Sequence, residues 1–342
     1  MVIFFQVTVA VSLFFLMNLI GKHSPVSLKY MQISNFLDTD EAPAFNFLFK
    51  VLTPVVSIII ISAILYSLNL DSYTINIYLI SVYYVFFRWS FNILIGRGKL
   101  LNWRKQIFYA AFIIGLSYFS YIKLIVHKKN LLPDFTTIAN ELWIIIIVFM
   151  YSLINNISIA TTGAEKRKYK YIGSIFNKLK IKYSTTIDRL TESNVRLTQI
   201  IYAIIIHENF NRPKVYRILE NLCGIINNKP KTYGIMQIKS DQPIDDLTSV
   251  ELGCGKILTD LKCLIPEYIQ DAVEHKDETK SEYWHKYVDN GLLDNDYQVK
   301  LVRMYNHCDD YAYEIKELAN YLNEKFYENI DENKRLFSTI KF

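Results

Sequence analysis

The stretch Ile200-Ile201-Tyr202-Ala203-Ile204-Ile205-Ile206-His207-Glu208 joins an apolar run directly to a histidine and a carboxylate. The run is too short to span a membrane, because a spanning helix needs about 20 apolar residues. Val195 and Leu197 extend it at helical spacing, and the segment Thr191-Glu192-Ser193-Asn194 is a suitable helix start. The sequence therefore predicts a buried core helix that ends at His207-Glu208.

The two halves of the 342-residue chain differ in composition. Residues 1–160 contain 11 Lys and Arg and 6 Asp and Glu, whereas residues 161–342 contain 27 of each kind. The whole chain is 51% hydrophobic, which is high for a soluble protein. An apolar first half and a charged second half predict a membrane region followed by a globular domain.

Apolar segments in the first half are long enough to cross a bilayer. They are approximately Val2–Ile20, Val51–Leu70, Thr74–Ile95, Gln106–Ile122 and Leu142–Ala160. The first has no basic leader and no clear cleavage site, so we expect a retained helix and not a removed signal peptide. Arg88 lies inside the third segment. Snorkelling, or pairing with a neighbouring helix, is a simpler explanation for this charge than a gate or relay.

The expected organisation has four parts. Residues 1–160 form a transmembrane domain of about five helices, 161–183 a basic amphipathic linker on the bilayer surface, 184–330 a mostly helical domain, and 331–342 a C-terminal tail. Further helices are expected at Lys214–Cys223, Ser249–Leu264, Glu282–Val288 and Asp296–Glu328, with no strand-rich region. The predicted fold class is all-α.

Basic residues cluster where the chain leaves the predicted membrane region. Seven of them lie between Lys166 and Lys182. Such a run indicates anionic lipid headgroups and not nucleic acid, since no nucleic-acid motif accompanies it. Over all the predicted loops, 14 basic residues fall on the side of this run and three on the other. The positive-inside rule therefore favours a cytoplasmic C-terminal domain.

Cysteine and histidine spacing indicates no metal site. The cysteines form no C-x-x-C pair and no zinc pattern, and their disulfide state stays open: Cys223, Cys254, Cys263 and Cys308. The histidines likewise lack a recognisable ligand spacing: His207, His275, His285 and His307. We expect no metal and no cofactor, and we expect His207 to be an ordinary helix-end residue.

Four short motifs in the second half carry carboxylate, amide and phenol side chains. They are His207-Glu208-Asn209-Phe210-Asn211, Tyr233-Gly234-Ile235-Met236-Gln237, Ser249-Val250-Glu251-Leu252-Gly253 through Leu258, and Met304-Tyr305-Asn306 with Tyr311-Ala312. In this order they resemble the signature of the lytic transglycosylases, lysozyme-like enzymes that cleave peptidoglycan glycan strands. The resemblance covers roughly residues 195–326. The serine that follows the family's glutamate is absent here.

The resemblance implies a role for each motif residue. Glu208 would be the acid and base, Met236 would line the glycan groove, and Gln237 would hydrogen-bond the sugar. Tyr305 would hydrogen-bond the catalytic carboxyl, and Asn306 would contact the substrate. The remaining aromatic residues could form the walls of the pocket: Phe210, Tyr233 and Tyr311.

The implied reaction cleaves the β-1,4 bond between N-acetylmuramic acid and N-acetylglucosamine. A carboxyl group can donate a proton at neutral pH only if its pKa is raised, and the end of an apolar helix among aromatic side chains excludes water. The family that the chain resembles uses one glutamate, first as acid and then as base. The N-acetyl group of the substrate assists, and the product is a 1,6-anhydro sugar.

Two alternatives stay open. The chain could be a membrane sensor or interaction protein whose lysozyme-like domain binds a ligand without chemistry. It could also be part of a transporter or channel with a regulatory C-terminal domain, for which Arg88 is the support. The enzyme hypothesis requires the C-terminal domain to face the wall from a bacterial plasma membrane, which conflicts with the loop charges. The expected partners are peptidoglycan strands and the lipid bilayer, and the membrane region could also mediate self-association.

Overall fold

The computed structural model describes residues 1–20, 44–128, 162–192, 194–226, 231–276, 282–328 and 331–337. Helices dominate these residues, which agrees with the all-α expectation except for one two-stranded sheet. The chain divides into two compact units, Met1–Lys170 and Tyr171–Phe342. The predicted span Leu142–Ala160 lies outside the described residues.

The described part of the N-terminal unit consists mainly of helices. These are α1 (Val2–Ile20), α2 (Ala44–Ser67), α3 (Leu79–Leu94) and α4 (Trp103–Ser120), which a π-helical turn continues over Tyr121–Ile125. Helix α1 packs against α3, and α2 packs against α4. Their shared core includes Phe14, Ile58, Ile80, Tyr84 and Ile113.

One described helix, Trp103–Ile125, is long and apolar enough to cross a membrane. Three shorter apolar helices accompany it, at Val2–Met17, Val51–Ser67 and Leu79–Leu94. A long apolar helix can also be the core of a soluble protein. The prediction of a multi-pass membrane region is therefore not confirmed by the described residues.

Polar side chains lie inside this unit, while large apolar side chains lie on its surface. The hydroxyl oxygens of Ser81 on α3 and Ser117 on α4 are 2.7 Å apart and fully buried. Gln6 is also buried and donates to the carbonyl oxygen of Ile75 at 3.1 Å. The most exposed apolar side chains include Phe4, Ile3, Phe86, Leu94, Leu68 and Phe119. Arg88 is half-buried.

The C-terminal unit is built around one buried helix. Its elements are the C-terminal part of α5 (Thr162–Thr191), then α6 (Val195–Asn211), α7 (Lys214–Ile226), β1 (Lys231–Tyr233), β2 (Ile238–Ser240), α8 (Asp246–His275), α9 (Glu282–Asp289), α10 (Leu292–Tyr305) and α11 (Asp309–Phe326). Asn194 caps α6 by accepting the backbone N–H of Leu197 at 2.9 Å. Every residue of α6 from Arg196 to Glu208 is buried, which confirms the predicted core helix.

A buried arginine connects α6 to α10 and α11. The Arg196 side chain is 1% exposed and donates to Gln298 at 2.8 Å, Gln199 at 3.0 Å and Asn320 at 2.7 Å. Burial lowers the pKa of Arg196 to about 10, and the nearby Asp294 carboxylate partly opposes this shift. The guanidinium therefore stays charged at neutral pH, with its donors satisfied inside the core.

Residues 171–183, predicted as part of a linker on the bilayer surface, pack instead within the C-terminal unit. The apolar face of α5 after Lys170 is buried within the C-terminal unit: Tyr171, Ile172, Phe176, Leu179 and Tyr183. The Phe176 ring meets the Tyr202 ring of α6 edge to face, with centroids 5.1 Å apart. This face therefore packs against protein and not against a bilayer surface, because its apolar side chains have partners in the core.

The segment predicted as a tail is also packed. Leu336 and Phe337 are buried, and their backbone N–H groups donate to the Asp294 carboxylate at 3.0 and 2.8 Å. The Phe337 ring stacks on Tyr268 with centroids 4.1 Å apart. Residues 331–337 thus belong to the C-terminal unit.

Candidate active site

The predicted acid, Glu208, is buried in the last turn of α6. Its side chain is 1% exposed, and the Tyr311 hydroxyl from α11 donates to Glu208 Oε1 at 2.9 Å. Helix α6 ends directly afterwards, where the Arg212 N–H bonds the Glu208 carbonyl oxygen. Phe210 is fully buried, and its ring packs edge to face with Tyr171 at 6.1 Å between centroids. The carboxyl therefore sits at the junction of an apolar helix with an aromatic cluster.

The second motif forms the turn of a hairpin. Strands β1 and β2 pair antiparallel, with Tyr233 opposite Ile238. Gly234 has φ +72° and Gln237 has φ +51°, so both residues are in the left-handed region that a tight turn requires. The Gln237 side-chain amide donates back to the Gly234 carbonyl oxygen at 3.0 Å. The turn thus fixes Gln237 from both its backbone and its side chain.

Helix α8, which carries the third motif, holds this turn in place. The Ser249 hydroxyl accepts the Met236 N–H at 3.0 Å and donates to the Tyr233 carbonyl oxygen at 3.3 Å. A Cβ at Gly253 would come within 2.5 Å of the Met236 sulfur, so glycine allows Met236 to lie against the helix. The third motif therefore has a structural role beneath the turn.

The fourth motif divides between two helices. The predicted helix Asp296–Glu328 is interrupted at Asn306–Cys308, so Tyr305 ends α10 and Tyr311 lies in the first turn of α11. Tyr311 makes the hydrogen bond to Glu208 that the resemblance assigned to Tyr305. The Tyr305 hydroxyl donates instead to the Met236 carbonyl oxygen. Asn306 is half-buried, and its N–H bonds the Val302 carbonyl oxygen.

The structure thus places the predicted site residues in two groups. One contains Glu208, Phe210 and Tyr311, and the other contains the turn residues with Tyr305. In the second group Tyr233 and Met236 are buried, and Gln237 is 9% exposed.

A further carboxylate, Glu220 on α7, lies beside the turn and was missed by the sequence analysis. Glu220 Oε1 is 3.4 Å from Arg212 Nε, directly after the first motif. Burial raises the pKa of Glu220, while the charges of Arg212 and Arg217 and a hydrogen bond from Gln237 oppose the rise. No motif marks this residue, and only the packing of α7 shows its place between the first two motifs.

Arg217 holds α7 to these motifs. Its guanidinium binds both Asp246 carboxylate oxygens at 3.0 Å, and it donates to Asn209 Oδ1 at 3.1 Å and to the Arg212 carbonyl oxygen at 2.5 Å. The two-point geometry fixes the orientation of the side chain. A single buried arginine therefore joins the first motif, α7 and the start of α8.

His207 lies near the end of α6, and its side chain is buried against α11. It is 2% exposed, and its Nε2 lies 3.3 Å from Glu314 Oε2 on α11. Its ring packs edge to face against Tyr311, with centroids 4.8 Å apart. The spacing of Tyr311 and Glu314, one helical turn apart, is the signal that could have placed both residues beside the first motif.

The described residues contain no group of three or more His, Cys, Asp or Glu arranged to hold a metal ion. Cys254 is buried, and burial raises the pKa of its thiol to about 12. Cys263 and Cys308 are exposed free thiols, and the Cys223 side chain lies outside the described residues.

No family model, no curated protein and no solved structure matches this chain. The likeness to lytic transglycosylases therefore depends on the residues and contacts of this chain alone.

Proposed function

We propose that the C-terminal unit is a peptidoglycan-cleaving enzyme of the lytic transglycosylase or muramidase kind, with Glu208 as its acid and base. The observation that carries the proposal is the Glu208–Tyr311 hydrogen bond at the buried end of α6. Burial disfavours the charged form of a carboxyl, and a proton donor at neutral pH has to be neutral before it reacts. The turn that contains Met236 and Gln237 supports the same assignment, since it is held on α8 and by Tyr305.

The proposed reaction needs one carboxyl. Glu208 gives its proton to the glycosidic oxygen as the bond to the muramic acid carbon breaks, and the N-acetyl oxygen of the substrate bonds to that carbon. The Glu208 carboxylate then takes the proton of the 6-hydroxyl, whose oxygen displaces the N-acetyl group and forms the 1,6-anhydro ring. The Tyr311 hydroxyl stabilises the carboxylate between these steps, because a hydrogen bond to the charged form favours it. Attack by water in place of the 6-hydroxyl would give the muramidase product.

We also propose that the N-terminal unit lies in a bilayer. Buried serines paired between helices and large apolar side chains on the surface are the arrangement that lipid favours. The enzyme would then be anchored in a bacterial plasma membrane with its C-terminal unit facing the wall. Since the loop charges favour the opposite side, a topology reporter fused after Phe342 is the direct measurement.

The test of catalysis uses the full chain in detergent micelles with purified peptidoglycan. We expect release of anhydro-muropeptides, and we expect Glu208→Gln to lower the rate by roughly 10²–10⁴-fold while the melting temperature stays close to that of the wild type. Glu324→Gln, an exposed carboxylate on α11, is the matched control and should keep full activity. Equal rates for the two variants would contradict a catalytic role for Glu208.

A non-catalytic sensor is the second candidate, and the near-complete burial of Glu208 favours it. Catalysis requires the aromatic wall around Glu208 to open when glycan binds, whereas a sensor has no such requirement. A chain that binds glycan without cleaving it, and whose binding is unchanged by Glu208→Gln, would identify the sensor.

A further inference from the structure

His207, which precedes the proposed acid in the chain, forms a buried pair with Glu314, and the proposed reaction does not use this pair. His207 and Glu314 are 2% and 5% exposed, and His207 Nε2 is 3.3 Å from Glu314 Oε2. Polar groups of this kind are costly to bury, because they lose their interactions with water. Their presence at this position therefore calls for a specific role.

The pair contacts Tyr311, the residue that hydrogen-bonds the acid. Tyr311 and Glu314 lie three residues apart on α11, so they occupy the same face of that helix. The His207 ring stands at 81° to the Tyr311 ring, with centroids 4.8 Å apart. Asn211 also contacts the histidine: it donates to the His207 carbonyl oxygen at 3.1 Å, and its amide nitrogen is 3.5 Å from both ring nitrogens.

We propose that His207 and Glu314 form a positioning pair that fixes the Tyr311 ring and so aims its hydroxyl at Glu208. The 3.3 Å contact with Glu314 Oε2 restrains the imidazole, and the edge-to-face contact between the two rings restrains the phenol. His207 acts through Tyr311 and not on the substrate, since His207 and Glu208 are adjacent on a helix and point in different directions. The inference rests on the proposed function only for its consequence for catalysis. The geometry of Tyr311 can be measured without any activity.

The test replaces His207 and Glu314 together, so that neither polar side chain stays buried without the other. The double variant His207→Phe/Glu314→Met keeps similar volumes, and such apolar replacements of buried pairs are often neutral or stabilising. The first readout is the ¹⁹F resonance of 3-fluorotyrosine placed at position 311 in the full chain in detergent micelles. Glu208→Gln establishes how far the resonance moves when the hydrogen bond to the acid changes. Glu317→Met, an exposed carboxylate on the same helix, is the control.

We expect the double variant to keep its melting temperature and to shift or broaden the Tyr311 resonance, whereas Glu317→Met leaves it in place. With peptidoglycan as substrate, we expect kcat to fall about 10–100-fold while KM changes less than about twofold, as for other orienting partners. Glu314→Gln, which retains an oxygen toward His207, should restore most of kcat and the wild-type resonance.

The outcomes separate the two proposals. An unchanged resonance and an unchanged kcat in the folded double variant would overturn the positioning role. A shifted resonance in a chain that cleaves no peptidoglycan would keep the positioning role and reject the proposed enzyme. If the double variant does not fold, the comparison of Glu314→Gln with Glu314→Ala decides, and equal resonances in these two variants would overturn the inference.

Discussion

At position 234 glycine meets two separate requirements. Its φ of +72° is a conformation that side chains other than glycine rarely adopt without strain. A Cβ there would also come within 2.5 Å of the Ser249 hydroxyl oxygen and 3.1 Å of the Asp245 carbonyl oxygen. The turn that contains Met236 and Gln237 therefore depends on the absence of a side chain at position 234.

We predict that Gly234→Ala lowers the free energy of unfolding by about 2–6 kcal/mol, the sum of backbone strain and overpacking. Gly255→Ala is the matched control, because it lies within α8 with no atom within 4 Å of its added Cβ. That change should stabilise the chain by roughly 0.5–1 kcal/mol. Urea unfolding measures the free energy of unfolding of both variants. Equal values for Gly234→Ala and Gly255→Ala would show that the turn does not approach α8 this closely.

Glu220 gives a pH-dependent contribution to stability. Its pKa in the folded chain is raised from 4.5 by burial, so the unfolded chain loses this proton at a lower pH than the folded chain. Stability therefore falls as the pH rises from the ordinary pKa toward the raised one, and the penalty persists above it. We predict that Glu220→Gln removes this penalty. The melting temperature of the variant minus that of the wild type should therefore be larger at about pH 7 than at about pH 4. Glu317→Gln, which changes an exposed carboxylate, should follow the wild-type profile.

At the scale of elements, α7 is oriented by its arginine. Among the described side chains of this helix, four apolar ones are exposed at helical spacing: Val215, Ile218, Leu219 and Leu222. Arg217, on the inner face, is 5% exposed and paired with Asp246. Helical periodicity predicts this helix. The usual rule that the apolar stripe faces the core gives the wrong orientation, because the ion pair and its hydrogen bonds lie inside.

We predict that Arg217→Met lowers the free energy of unfolding by about 3–5 kcal/mol, because it leaves the Asp246 carboxylate and the Arg212 carbonyl without their partner. The exposed pair Lys286–Glu282 provides the comparison. Lys286→Met should change stability by less than about 1 kcal/mol. A small effect at Arg217 in the same urea titration would mean that α7 is held by other contacts.

Some helices and strands of this chain could be predicted from the sequence, and others could not. The core helix α6 was predicted from its apolar residues because a continuous run that ends in polar residues has few other interpretations. The hairpin was not predicted, since each strand has only three residues and no alternation. Helix α8 continues through Pro266 to His275, although proline usually ends a helix. Tertiary packing decided these cases, and it is not visible in a local pattern.

The sequence predicted most of the residues of the candidate site, but it did not predict which of them hydrogen-bond to each other. The four motifs indicated Glu208, the turn and the two tyrosines, and in the structure Tyr311 hydrogen-bonds Glu208 while Tyr305 hydrogen-bonds the turn. Which tyrosine reaches the acid depends on the interruption at Asn306–Cys308, which the sequence did not indicate. Glu220 and Arg217 carry no motif, and their partners Arg212 and Asp246 are known only from the packing of α7, so no spacing rule could have selected them.

At the scale of the whole molecule, the boundary between the two units falls inside α5, between Lys170 and Tyr171. The residues that follow the boundary contribute buried side chains to the C-terminal unit: Tyr171, Ile172, Phe176, Leu179 and Tyr183. The domain therefore starts earlier in the chain than the boundary at residue 184 that the sequence predicted.

We predict that a chain of residues 162–342 folds by itself and unfolds cooperatively. A chain of residues 184–342 lacks the five buried side chains, each worth roughly 1.5–3 kcal/mol of burial, and should not unfold cooperatively. Circular dichroism during heating distinguishes the two chains. A cooperative transition in the shorter chain would contradict this prediction and show that the domain begins near residue 184.

The contact between Gly253 and Met236 constrains how this protein can evolve. Met236 fills the space that a side chain at position 253 would need, and its backbone is fixed by Ser249 and Tyr305. A lineage that acquires alanine at position 253 must therefore shorten residue 236 in the same step or soon after it, so the two positions should covary among descendants of this sequence.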